Sequence, residues 1–190
     1  AAGLVVGKLG SATVSREEID SEGARKMAVT RGVLNKTSLL REIKDARRRG
    51  ESIVMTNGCF DIIHNGHVLY LEEASSLGDR LIVAVNDDTS VSGLKGRDRP
   101  INGLDSRARV LAALEVVDWV VAFSDQTPRA LIADIKPDVL AKGGDYQVSD
   151  ICGSEEVLAA GGKVVALEYH SGYSTSELIE RLGNAGGKGS

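Results

Sequence analysis

Gly58–His67 reads GCFDIIHNGH and stands between two different patterns. Ahead of it, Ser52–Thr56 is a short apolar, β-branched run; behind it, Val68, Leu71, Ala74 and Leu77 recur at threefold spacing, with Gly78 where a helix would stop. Strand, glycine-bearing turn and helix make one βα unit, and the succession repeats downstream. The strand candidates are Ser52–Thr56, Leu81–Val85, Asp118–Phe123, Val139–Ala141 and Val164–Leu167. A helix is expected after each. One starts near Asp105 as cap and buries Val110, Leu111, Leu114 and Val117; one is opened by Thr127-Pro128 and closed by Pro137; others span Ser154–Ala160 and Ser174–Leu182. The expected fold is α/β, a Rossmann-like, doubly wound parallel sheet of five strands.

A chain of 190 residues, 42% hydrophobic and 26% charged, is long enough for one sizeable core and has the composition of an ordinary globular domain. Its formal charge of -4 argues against wholesale wrapping by nucleic acid, so small anionic partners are expected. Cys59 and Cys152 are far apart and form no C-x-x-C, which points to a reducing cytoplasm rather than a disulfide framework. No apolar stretch is long enough to span a membrane, and AAGLVVGKLG lacks the basic start of a signal peptide. Neither a membrane protein nor a secreted precursor is expected. The start without Met, in a Gly/Ala/Val run, suggests a piece of something longer.

Three regions are expected: residues 1–50 as a leading segment, 51–182 as the domain, and 183–190 as a disordered glycine-rich tail. The leading segment would end in an amphipathic helix over Ser38–Arg49, with Leu39, Leu40 and Ile43 inward. Asp87–Asn102, with Lys95, Arg97 and Arg99, reads as a long loop of the kind that is usually functional.

Ligands of parallel α/β sheets sit beyond the carboxyl ends of the strands, where Gly58–His67 falls. Backbone N–H groups at a helix start near His67, with the helix dipole, hold an anion without any cationic side chain. Gly58 and Gly66 allow close approach to phosphate oxygens. The stretch is neither G-x-x-x-x-G-K-[ST] nor G-x-G-x-x-G. His64 and His67, two of the three histidines, would donate hydrogen bonds to oxygens that gain charge during phosphoryl or nucleotidyl transfer. For a lone histidine, capping or packing is the better reading; a pair flanking a glycine at a βα turn favours function. A zinc site of Cys59, His64 and His67 lacks a fourth ligand and the customary spacing. Lys142–Asp145, KGGD, is either a plain turn or a second place where the backbone admits phosphate, with Asp145 fixing a hydroxyl or a metal. Asp61 reads as a residue that orients the loop by accepting backbone N–H bonds, and Trp119 as core.

These residues resemble a family. GCFDIIHNGH is similar to the G-x-F-D-x-x-H-x-G-H signature of the cytidylyltransferase-like nucleotidyltransferases. Arg107 in DSRARVLAALEVVD resembles their helix arginine, and GYSTSELI, Gly172–Ile179, their G-I-S-T-T-x-I motif. The likeness covers about Glu51–Leu182 and implies the nucleotidyltransferase type of Rossmann-like fold. Within the family, LIVAVNDD, LKGRDRP, ALEVVDWVV and VLAKGGDY are most similar to adenylyltransferases that join AMP from ATP to D-glycero-β-D-manno-heptose 1-phosphate for the lipopolysaccharide inner core. Such domains are often fused behind a ribokinase-like sugar kinase, and AAGLVVGKLGSATVS resembles the end of one.

The resemblance implies roles residue by residue. His64, His67 and Lys95 would be catalytic. Asn57, Gly58, Cys59, Phe60, Asp61, Gly66 and Asn86 would hold the nucleotide and its phosphates, together with Arg107, Lys142, Gly144 and Asp145 and, from the last motif, Tyr173, Ser174, Thr175 and Ser176. Mg²⁺ is expected with ATP, the partners are ATP and a sugar 1-phosphate, and a homodimer is open to such a chain. One departure is that cytidylyltransferases of this kind carry an arginine three positions before the glycine of the last motif, where Tyr169 stands here, followed by His170 and Ser171. It favours adenylyl over cytidylyl transfer. Two other readings stay open: a cytidylyltransferase for glycerol 3-phosphate or a similar polyol phosphate, and a nucleotide-binding module without catalysis.

Overall fold

The apolar runs do become strands, and the central ones are buried along their length: Ile53, Val54 and Met55 are inaccessible to solvent, as are Ile82, Val83, Ala84 and Val85. Near-continuous apolar strands suit a parallel sheet covered by helices on both faces. The structure, a computed structural model, describes residues 30–144 and 146–168. In chain order the elements are β1 (Gly32–Val33), α1 (Lys36–Arg48), β2 (Ile53–Gly58), α2 (Asn65–Ser75), β3 (Arg80–Asn86), α3 (Asp88–Lys95) and α4 (Leu104–Ala112). There follow β4 (Trp119–Phe123), α5 (Arg129–Ile135), β5 (Val139–Gly143), a 3₁₀ turn (Val148–Asp150), α6 (Ser154–Ala159) and β6 (Lys163–Leu167).

The strands form one parallel sheet in the order β1-β4-β3-β2-β5-β6. Strand order runs outward from β2 through β3 and β4, then returns to the other side of β2 with β5. The chain therefore reverses between β2 and β5, and a crevice opens beyond their carboxyl ends.

Several expectations need correction. The sheet has six strands, not five, because Gly32–Val33 pairs with Trp119–Val120; two residues are too few to show a period. The domain's layers also take in residues placed ahead of it from sequence: α1 starts two residues early, capped by the Asn35 side chain on the Ser38 N–H (2.9 Å), and buries Leu39, Ile43 and Ala46. Asp87–Asn102 is not one long loop, since Asp87 caps α3 through the Ser90 N–H (2.7 Å) and Val91 is buried beneath it. Asp105 lies in the first turn of α4 behind the cap Gly103, and Val110 is 45% exposed, while Leu111 and Val117 are buried and Leu114 packs against the core. Pro128 is the cap of α5 rather than its first residue, and α6 stops at Ala159. Trp119 is fully buried. Residues 1–29, the helix expected over Ser174–Leu182 and the tail lie outside the described residues. No helix among the described residues is long and apolar enough to cross a membrane.

Candidate active site

Beyond the carboxyl ends of β2, β3 and β5 lies a cavity of about 610 Å³. Its floor is the turn Gly58–His64. Phe60 takes a left-handed backbone (φ 47°), which folds its ring back so that a Cβ on Gly58 would stand 3.0 Å from it. A side chain at position 58 would press on that ring, which would have to shift by a few tenths of an ångström.

Two buried side chains fasten this turn. The Asp61 carboxylate accepts from the N–H of Ile101 (2.8 Å) and Asn102 (2.9 Å) and from Arg99 Nε (2.6 Å). Burial pushes that carboxyl up, but the N–H donors of Asn102 and Ile101 and the Arg99 guanidinium outweigh it and hold it below the usual value. Arg107, 1% exposed, donates to the carbonyls of Cys59 (2.5 Å), Asn86 (2.8 Å) and Asn102 (2.9 Å) and to the Asp88 carboxylate (2.7 Å). One guanidinium therefore joins the β2 turn, the end of β3, the start of α3 and the segment before α4.

The imidazoles meet at the start of α2. His64 is its cap, and the ring centroids of His64 and His67 lie 3.9 Å apart. The two form a reciprocal capping box, in which the His64 N–H donates to His67 Nδ1 (3.4 Å). With Nδ1 accepting, the proton of a neutral His67 sits on Nε2. His67 also leans on the Phe60 ring, 5.4 Å between centroids. Burial lowers the pKa of both histidines, and for His67, with His64 beside it, to about 4. Near neutral pH the pair is therefore an uncharged donor site. Capping and ligand contact do not exclude each other here, because a capping ring can still present its outer nitrogen.

The predicted residues from Asn57 to Asp61, with His64, Gly66 and His67, line the cavity, and Asn86, Lys95 and Lys142 join them from β3, α3 and β5. Lys95 is the last residue of α3, and Lys142 reaches from β5 to donate to the Asn57 carbonyl (3.0 Å). Burial pushes the Cys59 thiol up, which keeps it protonated. Arg107 lies behind the cavity wall as a fastening residue. Gly143 lines the cavity where Gly144 was expected; Gly144 has φ +125°, and a Cβ there would meet the Tyr146 ring at 2.8 Å. Asp145, Tyr169, His170 and the motif residues Tyr173, Ser174, Thr175 and Ser176 lie outside the described residues.

Sequence reasoning gave Tyr70, Gln126, Tyr146 and Glu168 no site role and named Arg99 only as part of a functional loop; all five also face the cavity. Tyr70 was findable, one helical turn beyond His67; its hydroxyl shares a hydrogen bond with Thr56, donates to the Ala141 carbonyl (3.2 Å) and is pushed by burial to about 12. Tyr146 closes the VLAKGGDY stretch, whereas Gln126 and Glu168 carry no local signal. Among the described residues no group of three or more His, Cys, Asp or Glu side chains could hold a metal ion, so the zinc reading of Cys59, His64 and His67 gains no support.

Comparison with known proteins places this geometry among relatives. A family model described as cytidylyltransferase-like matches residues 55–181. The bifunctional protein HldE of Nitrosococcus oceani is 57% identical over 180 residues, covering 95% of this chain and 38% of that protein. The HldE protein of Pasteurella multocida is 55% identical over 182 residues, 96% of this chain and 38% of its own length. The chain thus spans 38% of the length of these curated relatives. A crystal structure of a lipopolysaccharide core biosynthesis protein from Thermoplasma volcanium superposes with TM-score 0.54 at 27% identity, over 66% of this chain and all of that one.

Proposed function

The chain belongs to the cytidylyltransferase-like family, and from that premise we propose that it transfers AMP from ATP to D-glycero-β-D-manno-heptose 1-phosphate, releasing pyrophosphate. The observation that carries the reading is the neutral imidazole pair at the start of α2, opening on the crevice where the strand order reverses. The likeness over nearly the whole chain to HldE proteins supports the same reading, and the acceptor sugar comes from the motif resemblance.

The reaction is a direct displacement. An oxygen of the acceptor phosphate attacks the α-phosphorus of ATP, the bond to the bridging β-oxygen breaks, and pyrophosphate leaves. The first-turn N–H groups of α2 and the Nε2 proton of His67 donate to phosphate oxygens as charge builds on them. Lys95, at the end of α3, neutralises the triphosphate or the incoming phosphate. The protonated Cys59 thiol forms no covalent intermediate. A divalent ion, Mg²⁺ in this reading, would be held chiefly through the phosphates and would screen their charge. By the motif resemblance, Asp145 and Tyr173–Ser176 would also contact the nucleotide. In this reading the domain follows a ribokinase-like sugar kinase within a longer protein and works in the cytoplasm.

A matrix of ATP and CTP against heptose 1-phosphate and glycerol 3-phosphate tests this. Pyrophosphate release is expected with ATP and heptose 1-phosphate alone. His67→Ala should lower turnover by about 10²–10³-fold with the thermal transition preserved; unchanged turnover would refute the assignment. Release with CTP and glycerol 3-phosphate would favour the cytidylyl alternative, and ATP binding without release from any acceptor a non-catalytic module.

A further inference from the structure

Asp61, in the turn Gly58–His64, has a side chain only 2% exposed, and donors from the segment between α3 and α4 converge on it. Two are the backbone N–H groups of Ile101 and Asn102; the third is Arg99 Nε at 2.6 Å. The Asn102 side chain also donates to the Asp61 carbonyl (2.8 Å), and the Ser92 hydroxyl of α3 donates to the Arg99 carbonyl (2.8 Å). Arg99 is thus held both at its backbone and at Nε.

An arginine carries five N–H donors. Arg99 gives the one on Nε to Asp61, and the others, on its terminal nitrogens, have no acceptor among the described residues. Its side chain is 16% exposed and lines the cavity, the one arginine to do so among those residues. Arg107, by contrast, lies behind the wall with its guanidinium spent on three carbonyls and Asp88. Asp61 offsets part of the Arg99 charge, so what the cavity receives is directional: a planar fork of N–H groups, fixed before any ligand arrives. Two oxygens of one phosphate group match such a fork.

We propose that Arg99 clamps a phosphate group of one reactant between its terminal nitrogens. The inference rests on the adenylyltransferase reading only for the two compounds that bring a phosphate to the cavity, ATP and the sugar 1-phosphate.

The test is calorimetric titration of tripolyphosphate and heptose 1-phosphate into the wild type, Arg99→Met and Arg99→Lys, with thermal unfolding of each free protein. Arg99→Met should bind one of the two compounds more weakly by about tenfold or more and keep its affinity for the other; the compound affected identifies the reactant whose phosphate is held. Arg99→Lys, which keeps the charge but not the fork, should recover only part of the loss. Unchanged affinity for both compounds in Arg99→Met would overturn the proposal, as would full affinity in Arg99→Lys. Weakening of both alike, with a lower unfolding temperature, would make Arg99 a fastener of the turn instead. Binding of either compound alone involves no transfer. A wild type that shows the Arg99-dependent binding but releases no pyrophosphate from ATP and heptose 1-phosphate would therefore refute the function and leave this inference standing; pyrophosphate release with unchanged binding in Arg99→Met would do the reverse.

Discussion

In the proposed reaction His67 donates a hydrogen bond while uncharged, and its surroundings favour both. The His64 N–H occupies Nδ1, while burial and the second imidazole hold the ring pKa near 4. An NMR titration of the free protein should therefore find a His67 midpoint well below the usual value of about 6.5, moving upward when tripolyphosphate binds, because an anion favours the imidazolium. A free-state midpoint near 6.5 would contradict the buried pair. The same shift is linked to stability. Between about 4 and the unfolded value the unfolded chain binds the proton and the folded one does not, so this contribution is complete above the unfolded pKa and is lost as the pH falls. Urea unfolding at pH 7 and pH 4.5 should show lower stability at the acid end, and His67→Gln should flatten the difference. Cys59 gives a second check at this scale: its thiol is half-buried and raised, whereas Cys152 is exposed, so iodoacetamide at neutral pH should alkylate Cys152 well before Cys59.

Among the elements, Arg107 matters more than any cap. Truncating it to Ala leaves the carbonyls of Cys59, Asn86 and Asn102 without their donor, in a site that solvent scarcely reaches. Loss of about 3 kcal/mol or more is expected, against about 1 kcal/mol for removing the Asp87 cap of α3. Urea denaturation ranks the two. Because Arg107 ties the Gly58–His64 turn to β3, Arg107→Lys should also raise the KM for ATP although it does not line the cavity; an unchanged KM would mean that the turn holds its shape without the guanidinium.

For the whole molecule the decisive contribution is from residues 31–50. β1 extends the sheet through β4, Arg31 Nε reaches the Asp118 carboxylate at 3.2 Å, and α1 buries Leu39 and Ile43. Burying the latter two is worth roughly 2 kcal/mol each, a large part of the 5–15 kcal/mol or so that a domain has in total. A chain started at Glu51 should therefore melt markedly lower, or aggregate, relative to one started at Thr30. Equal melting temperatures would restore the boundary drawn from sequence.

The βα succession and the placement of the Gly58–His67 imidazole pair at a βα turn were legible in the letters alone, because strand and helix periods, glycine's freedom and an imidazole pair are properties of neighbouring residues. Arg107 was visible as a helix arginine, but a helical position looks the same whether it faces water or three carbonyls. Gly32–Val33 was too short to show any pattern, and α3 was hidden because two glycines and a run of charges resemble a loop. Lys142 was visible too, yet its meaning comes from β5 lying beside β2. Such pairings join residues tens of positions apart, and no local pattern encodes them. Whether a charge is solvated, fastens a turn or waits for an anion depends on the partners that strand order brings within reach.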